Sequence, residues 1–124
     1  MEIILIAIFG AAGCVARFGL SGLTYRFAGA GFPYGTLAVN VLGSFFLGAF
    51  LESGGRIFLL PPTLRTAIAL GFFGGFTTFS TFSFETVKMI EEGSFMMAGI
   101  NVASSLFVCL IGAYGGIFIS RYVG

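Results

Sequence analysis

The sequence has few charged residues and no histidine. Charged residues make up 9% of its 124 residues, whereas soluble globular domains contain about 25%. No basic run is present that would attract nucleic acid. An enzyme would need a histidine, a metal cluster or a nucleophile with its base, and the sequence offers none of these. We therefore expect a protein that neither binds nucleic acid nor catalyses a reaction.

Cysteine is also scarce. Cys14 and Cys109 are the two cysteines of the chain, and both fall inside apolar stretches. Two cysteines in such positions predict neither a disulfide framework nor a metal motif. We interpret both as small apolar packing residues.

Apolar residues are abundant, at 57% of the sequence, and mean hydropathy is +1.05. Charges separate four apolar stretches, each near or above the roughly 20 residues that a helix needs to cross the hydrocarbon core of a bilayer. The first stretch has no basic region before it, so we treat it as a membrane span and not as a signal peptide. We predict an all-α integral membrane protein with a single four-helix transmembrane domain over residues 1–124. The predicted spans are 3–25, 33–52, 62–91 and 94–121.

The third span contains the most distinctive stretch, GFFGGFTTFSTFSFE, from Gly71 to Glu85. Read as a helix, it carries a stripe of phenylalanines beside a stripe of hydroxyls. The phenylalanine stripe is Phe73, Phe76, Phe79 and Phe82, and the hydroxyl stripe is Thr77, Ser80 and Ser83. Hydroxyl protons and positive ring edges can both face an anion that has lost its water. The alternatives are hydroxyls that bond to their own helix and rings that only pack.

Gly74 and Gly75 interrupt this stretch, and two interpretations stay open for them. Adjacent glycines can permit a break near the middle of the membrane, where freed carbonyls are tolerated only if they are buried or bound. A broken centre could then coordinate a cation. Alternatively, the two glycines allow a close helix crossing that needs no break.

Other polar residues at depth are few. No carboxylate lies within a span away from its ends, so a proton relay lacks its parts. Arg17 is the internal charge of the first span, and it either raises the local potential for an anion or packs against another helix. Ser44 with Gly48, and Gly112 with Gly116, fit the small-xxx-small spacing that lets helices approach closely.

The loops carry almost no charge bias. One side of the membrane has three positive residues, Arg56, Arg65 and Arg121. The other side has Arg26 and Lys88, together with Arg17 if that side chain reaches the interface. Such a chain either inserts in both orientations, which would allow an antiparallel dimer, or has one orientation fixed by the insertion machinery.

Three features together resemble one family. The motif GGFTTFSTFSFET, the stretch GTLAVN from Gly35 to Asn40 and Arg17 in the first span strongly resemble the Fluc family of small fluoride channels. The resemblance covers essentially the whole chain. It implies a fluoride-selective channel that exports fluoride passively and so lowers its cytoplasmic concentration. It further implies a dual-topology, antiparallel homodimer in the plasma membrane of a prokaryote, with the third helix broken near its middle.

The resemblance also implies roles for particular residues. Carbonyls of Gly74 and Thr77 would hold a structural sodium ion at the dimer interface, and Arg17 would have an electrostatic role. The chain departs from the family in its fourth span, where some members have Tyr in place of Asn101 and Ser in place of Cys109. The implied fluoride pathway consists of Asn40, Phe79, Ser80, Thr81, Phe82, Glu85, Asn101 and Ser105.

Two rival functions share the four-span layout. A small multidrug exporter would need a carboxylate inside the membrane to exchange protons for a cationic drug, and the sequence has none at depth. A membrane subunit without transport activity would leave the dense hydroxyls of the third span unexplained. Both fit the sequence less well than an anion channel.

Overall fold

Four helical spans form the protein. The computed structural model describes residues 1–54 and 59–123. Arg56, one of the loop charges counted for the topology, lies outside the described residues. Within them there is no β-strand, and four helices are long and apolar enough to cross a membrane. The predicted all-α, four-span architecture is confirmed. The helices are α1 (Glu2–Ala28), α2 (Tyr34–Ser53), α3 (Pro62–Glu91, divided into α3a, 62–76, and α3b, Phe79–Glu91) and α4 (Phe95–Val123).

Proline and glycine set the helix boundaries. Pro33 immediately precedes α2, and Pro62 is the first residue of α3a. A proline at the start of a helix costs no intrahelical hydrogen bond. Gly93 ends α3b with a φ of 81°, a conformation that glycine adopts without strain. Its N–H donates to the Ile90 carbonyl at 3.0 Å, and the Ser94 N–H donates to the Met89 carbonyl at 2.8 Å. These two bonds form a Schellman motif.

The helices pack in two pairs, and glycines allow close contact within each pair. The helix α2 packs along α4, and α1 packs along α3a. A Cβ on Gly116 of α4 would collide with the Phe45 carbonyl oxygen, and one on Gly48 would lie 2.6 Å from the Ala113 carbonyl oxygen. The small-xxx-small residues of the second and fourth spans therefore lie at the interface between α2 and α4.

The burial pattern is the inverse of that in a soluble protein. Among the described residues, polar residues are buried as often as apolar ones, while large apolar side chains such as Phe18 and Ile111 are exposed. This distribution suits a lipid solvent, in which polar groups must find partners inside the protein. The buried polar residues are Thr36, Ser53, Thr86, Asn101, Ser105 and Ser120.

Within α3a, residues Ala67–Phe73 form a π-helix, which the apolar sequence did not predict. The π-helix is wider than an α-helix, because its hydrogen bonds span five residues in place of four. It leads directly into Gly74–Phe76, the last turn before the break in the third span.

Candidate functional site

The third span is broken at Thr77 and Thr78. The backbone is extended at both residues, with φ −90° and ψ 160° at Thr77 and φ −150° and ψ 116° at Thr78. The predicted break is confirmed, and it lies after the two glycines. A Cβ on Gly75 would lie 2.8 Å from the Gly10 carbonyl oxygen, so this glycine serves the close crossing with α1. The close crossing predicted for the Gly-Gly pair is therefore found at Gly75, whereas Gly74 is helical and the break follows three residues later.

Two side chains from other helices bind the backbone at the break. The Asn40 amide on α2 pairs with Thr78 twice, because Nδ2 donates to the Thr78 carbonyl at 3.0 Å and Oδ1 accepts from the Thr78 N–H at 2.7 Å. Arg17 on α1 donates from Nε to the Gly75 carbonyl at 3.0 Å. The break thus receives hydrogen bonds from both sides. Buried backbone groups would otherwise carry a penalty of about 1–3 kcal/mol each.

These bonds leave two carbonyls without their helical donors. In an α-helix each carbonyl accepts from the N–H four residues later. The Thr78 N–H, which would serve Gly74, donates to Asn40. The Thr81 N–H, which would serve Thr77, donates to the Thr78 hydroxyl at 3.2 Å. The two carbonyls that lose their helical donors, those of Gly74 and Thr77, are the ones expected to bind sodium. Gly74 is exposed, with open space where a Cβ would be.

A groove of about 530 Å³ lies beside the break, between α2, α3 and α4. Four residues of the expected fluoride pathway meet there: Asn40, Phe79, Phe82 and Ser105. None of the described residues that line the groove is charged. The full lining is Asn40, Gly43, Ser44, Leu47, Thr77, Thr78, Phe79, Phe82, Val102, Ser105, Leu106, Cys109 and Leu110.

Phe79 and Phe82 form a ring pair in the first turn of α3b. Their ring centroids are 5.5 Å apart, and the ring planes meet at 48°. Phe79 is 78% exposed on the single chain. Because the break separates this pair from Phe73 and Phe76, the continuous phenylalanine stripe predicted from the sequence is wrong. Phe76 is instead buried and stacks on Phe72, with centroids 6.0 Å apart.

The hydroxyls near the break divide into two groups. Thr77 and Ser83 donate to carbonyls of their own helix, each at 2.9 Å, and these protons are no longer available to an anion. Thr78, by contrast, caps α3b. Its hydroxyl donates to the Thr81 hydroxyl at 3.0 Å and lies 3.4 Å from that of Ser80. The Thr81 hydroxyl proton therefore has no role in this cluster and can be donated to a ligand.

Ser105 supplies a free donor on the opposite wall. Its side chain is 8% exposed, and its hydroxyl has no hydrogen-bond partner among the residues that the structure describes. A buried hydroxyl without a partner is costly in an apolar environment. Since Ser105 lines the groove, a ligand in the groove can relieve that cost.

Four of the expected pathway residues do not line the groove: Ser80, Thr81, Glu85 and Asn101. Ser80 and Thr81 belong to the hydroxyl cluster around Thr78, and the other two lie farther away. Glu85 accepts hydrogen bonds from Thr36 at 2.6 Å and from Tyr25 at 3.2 Å, beside a separate cavity of about 480 Å³ at the end of the spans. Asn101 is 2% exposed and donates to the Thr86 hydroxyl at 2.9 Å, which joins α4 to α3b. The structure therefore does not bring Asn101 to the groove.

Ser44 and Cys109 also line the groove. The sequence pattern indicated packing for both residues, and the resemblance named Cys109 only as a departure from the family in the fourth span. Ser44 lies four residues after Asn40, and Cys109 lies four residues after Ser105, so each shares a helix face with a predicted pathway residue. The Ser44 hydroxyl lies beside the Cys109 side chain in the groove. Helical spacing from the two predicted residues was the available signal.

Comparison with known proteins identifies the family. A family model described as CrcB-like protein, Camphor Resistance (CrcB), matches residues 4–117. The fluoride-specific ion channel FluC of Geobacter sulfurreducens is 51% identical over 119 residues, which cover 96% of each chain. FluC of Geobacter metallireducens is 49% identical over 123 residues, 99% of each chain, and FluC of Syntrophotalea carbinolica is 51% identical over 121 residues, 98% of each chain. The chain therefore belongs to the CrcB-like family, which is the Fluc family that its third-span motif resembles.

Proposed function

We propose that this chain is a fluoride-selective channel of the bacterial plasma membrane, through which fluoride leaves the cytoplasm passively. The observation that carries the proposal is full-length similarity, at about half of all positions, to relatives named fluoride-specific ion channel FluC. The groove beside the break supports it with suitable chemistry. Channel activity also requires no catalytic residues, in keeping with the sequence.

The groove suits a small anion that must exchange its water for protein donors and then leave again. Ser105 offers a hydroxyl, and Asn40 uses one of its two amide protons on Thr78 and has a second for a ligand. The Phe79 and Phe82 rings offer positive edges. An uncharged lining attracts the ion weakly enough for release. Ser80 and Thr81, in the first turn of α3b, would extend the donor set beyond the groove.

At the break two helix ends of opposite partial charge lie close together, one suited to a cation and the other to an anion. The C-terminal end of α3a carries carbonyls and the negative end of its dipole, whereas the N-terminal end of α3b carries the positive end. Carbonyls of Gly74 and Thr77 fit a sodium ion, since unwound carbonyls at membrane depth coordinate sodium in other transporters. Phe79 and its groove lie at the end that favours an anion.

The functional unit in this proposal is an antiparallel homodimer. Phe79 is 78% exposed and the Gly74 backbone faces open space, so the predicted site is unfinished at the surface of one chain. A second copy in the opposite orientation would cover both and complete the sodium shell with its own two carbonyls. The nearly balanced loop charges are compatible with insertion in both orientations.

Fluoride efflux from liposomes tests the function. Purified protein is reconstituted into vesicles loaded with potassium fluoride, and valinomycin is added so that potassium can follow the anion. We expect rapid fluoride release with protein and none without it, while vesicles loaded with potassium chloride retain their chloride. Equal release of chloride would refute selectivity, and no fluoride release from a correctly folded protein would refute the channel.

A further inference from the structure

We propose that Cys109 forms an inhibitory binding site for soft monovalent cations such as Ag⁺ or Cu⁺ in the wall of the groove. The inference rests on the proposed function for its consequence, which is block of fluoride conduction, but metal binding itself does not depend on that function. It concerns a thiol that the sequence analysis treated as a packing residue.

The position of Cys109 carries the first step. Its side chain is partly exposed, and it lines the groove of about 530 Å³ together with Phe79 and Phe82. An ion that enters the groove therefore meets sulfur. Sulfur as a thiolate is the preferred ligand of soft metal ions, whereas hydroxyl and carbonyl oxygens suit hard ones.

A second, independent observation points to a ligand at the same place. The Ser105 hydroxyl, one helical turn before Cys109, is more than nine-tenths buried, lines the same groove and has no partner among the described residues. Ser44 of α2 lines the same groove and adds a second hydroxyl beside Cys109. The thiol is thus flanked by two oxygens that can complete a weak secondary shell around a bound ion.

The charge of the groove selects a monovalent ion. Binding proceeds by loss of the Cys109 proton to water and formation of a sulfur–metal bond, with no change of oxidation state. The product is neutral for a monovalent ion. A divalent ion would leave a positive charge in an apolar wall that has no carboxylate among its described residues, at a large desolvation cost.

Occupancy of this site blocks conduction in two ways. The metal takes up space between the ring pair and α4, and it engages the hydroxyls that would otherwise donate to fluoride. Fluoride is a hard anion and does not compete for a soft cation. Silver fluoride is also soluble, so silver does not remove the permeant ion from solution.

The test compares the two cysteines of the chain. Cys14, on α1, lines a different cavity, of about 620 Å³, and is the matched control. Fluoride efflux is measured in chloride-free buffer with and without silver nitrate for the wild type, Cys14→Ser, Cys109→Ser and Cys109→Ala, each compared with its own untreated rate. We expect silver to remove most of the flux from the wild type and Cys14→Ser, with recovery after addition of dithiothreitol, and to leave both Cys109 variants conducting.

Metal content gives a readout that needs no transport. After gel filtration, Cys14→Ser should retain about one silver ion per chain and Cys14→Ser with Cys109→Ser should retain none, as expected for thiolate coordination. Equal inhibition of the wild type and the Cys109 variants would overturn the proposal, because silver would then act elsewhere, for example at the Gly74 and Thr77 carbonyls. Absence of bound silver from Cys14→Ser would overturn it even if the protein conducted no fluoride.

Discussion

Arg17 and Asn40 bind the backbone of the break from two different helices. The sequence left open whether Arg17 reaches the membrane interface or contacts another helix. Its Nε donates to the Gly75 carbonyl, so the side chain contacts α3a. Asn40 was expected to donate to fluoride, and it also has a structural task at Thr78. Neither contact could be predicted from sequence, because 58 and 38 residues separate the partners and no periodicity links them.

Substitution of Arg17 separates its hydrogen bond from its charge. Arg17→Ala should lower the unfolding midpoint in detergent, because loss of a partner for the Gly75 carbonyl costs about 1–3 kcal/mol. Arg17→Gln keeps a donor without the charge, so it should recover part of that stability. If flux through Arg17→Gln stays low although its stability is recovered, the charge itself supports conduction. Equal stability of the wild type and Arg17→Ala would show that the hydrogen bond contributes nothing.

Replacement of either ring of the groove tests the anion path. Phe79→Ile and Phe82→Ile keep apolar bulk but remove the positive ring edge, and a loss of about 1.4 kcal/mol at the barrier lowers flux about tenfold. The measurement is the initial rate of fluoride efflux from liposomes. Phe107→Ile, on α4 and outside both the groove and the cavity beside Glu85, is the control and should conduct normally. Wild-type rates in both groove variants would make the rings packing residues.

The helices differ in how far the sequence predicts them. Long apolar runs and the bounding residues Pro33, Pro62 and Gly93 predict four spans. The glycines before Thr77 leave both a break and a close crossing open, and the resemblance to the Fluc family implies the break. The π-helix at Ala67–Phe73 was not predicted, because its residues have the same apolar character as those of an ordinary span. The π-helix depends on how α3a packs against its neighbours, which a single sequence does not encode locally.

The contact between α2 and α4 predicts a clear difference between two glycines of one helix. Gly116→Ala would force a Cβ into the Phe45 carbonyl, so the helices must move apart at a cost of about 1–3 kcal/mol. Gly99→Ala meets no atom of this chain within 4 Å and should be tolerated. Thermal unfolding in detergent, followed by size-exclusion chromatography, measures both. Equal midpoints for the two variants would contradict the close packing.

The molecule as a whole is defined by what a single chain leaves open. The sequence predicted which types of residue would form the anion path, the ring pair and the sodium ligands. Tertiary contacts decide which of these residues lie close together. Asn101 shows the limit, because its position in the fourth span suggested the pathway, whereas its amide is used by Thr86. A polar residue at depth indicates an interior partner, and the sequence alone does not say whether that partner is an ion or another side chain.

Orientation in the membrane is testable through the loops. Of the charges predicted to compete, Arg65 and Arg121 lie on one side and Arg26 and Lys88 on the other. A tag at the C-terminus should therefore be accessible from both sides of the membrane in one preparation. Several lysines added between α1 and α2 should favour one orientation and reduce the flux of the chain expressed alone. A single population for the unmodified chain would exclude the dual arrangement.

Sodium should matter for assembly more than for transport. If the carbonyls of Gly74 and Thr77 from two chains share one ion, prolonged dialysis without sodium should dissociate the dimer and abolish flux, since these carbonyls have lost their helical N–H donors and would then also lose the ion. Readdition of sodium should restore both, and size-exclusion chromatography with efflux measurements follows the two effects. An intact, fully active dimer in sodium-free buffer would exclude a structural ion.

The two side chains that hold the break have a consequence for biosynthesis. Arg17 and Asn40 lie on α1 and α2, which leave the ribosome before residues 75–78 do. Both partners are therefore already in the membrane when the break arrives, and its backbone groups need not wait unpaired in hydrocarbon. If the two side chains that bind the break were on α4, the last span to be made, the nascent third span would have to insert as an unbroken helix and break afterwards. The order of the spans along the chain thus allows the break to form as it is synthesised.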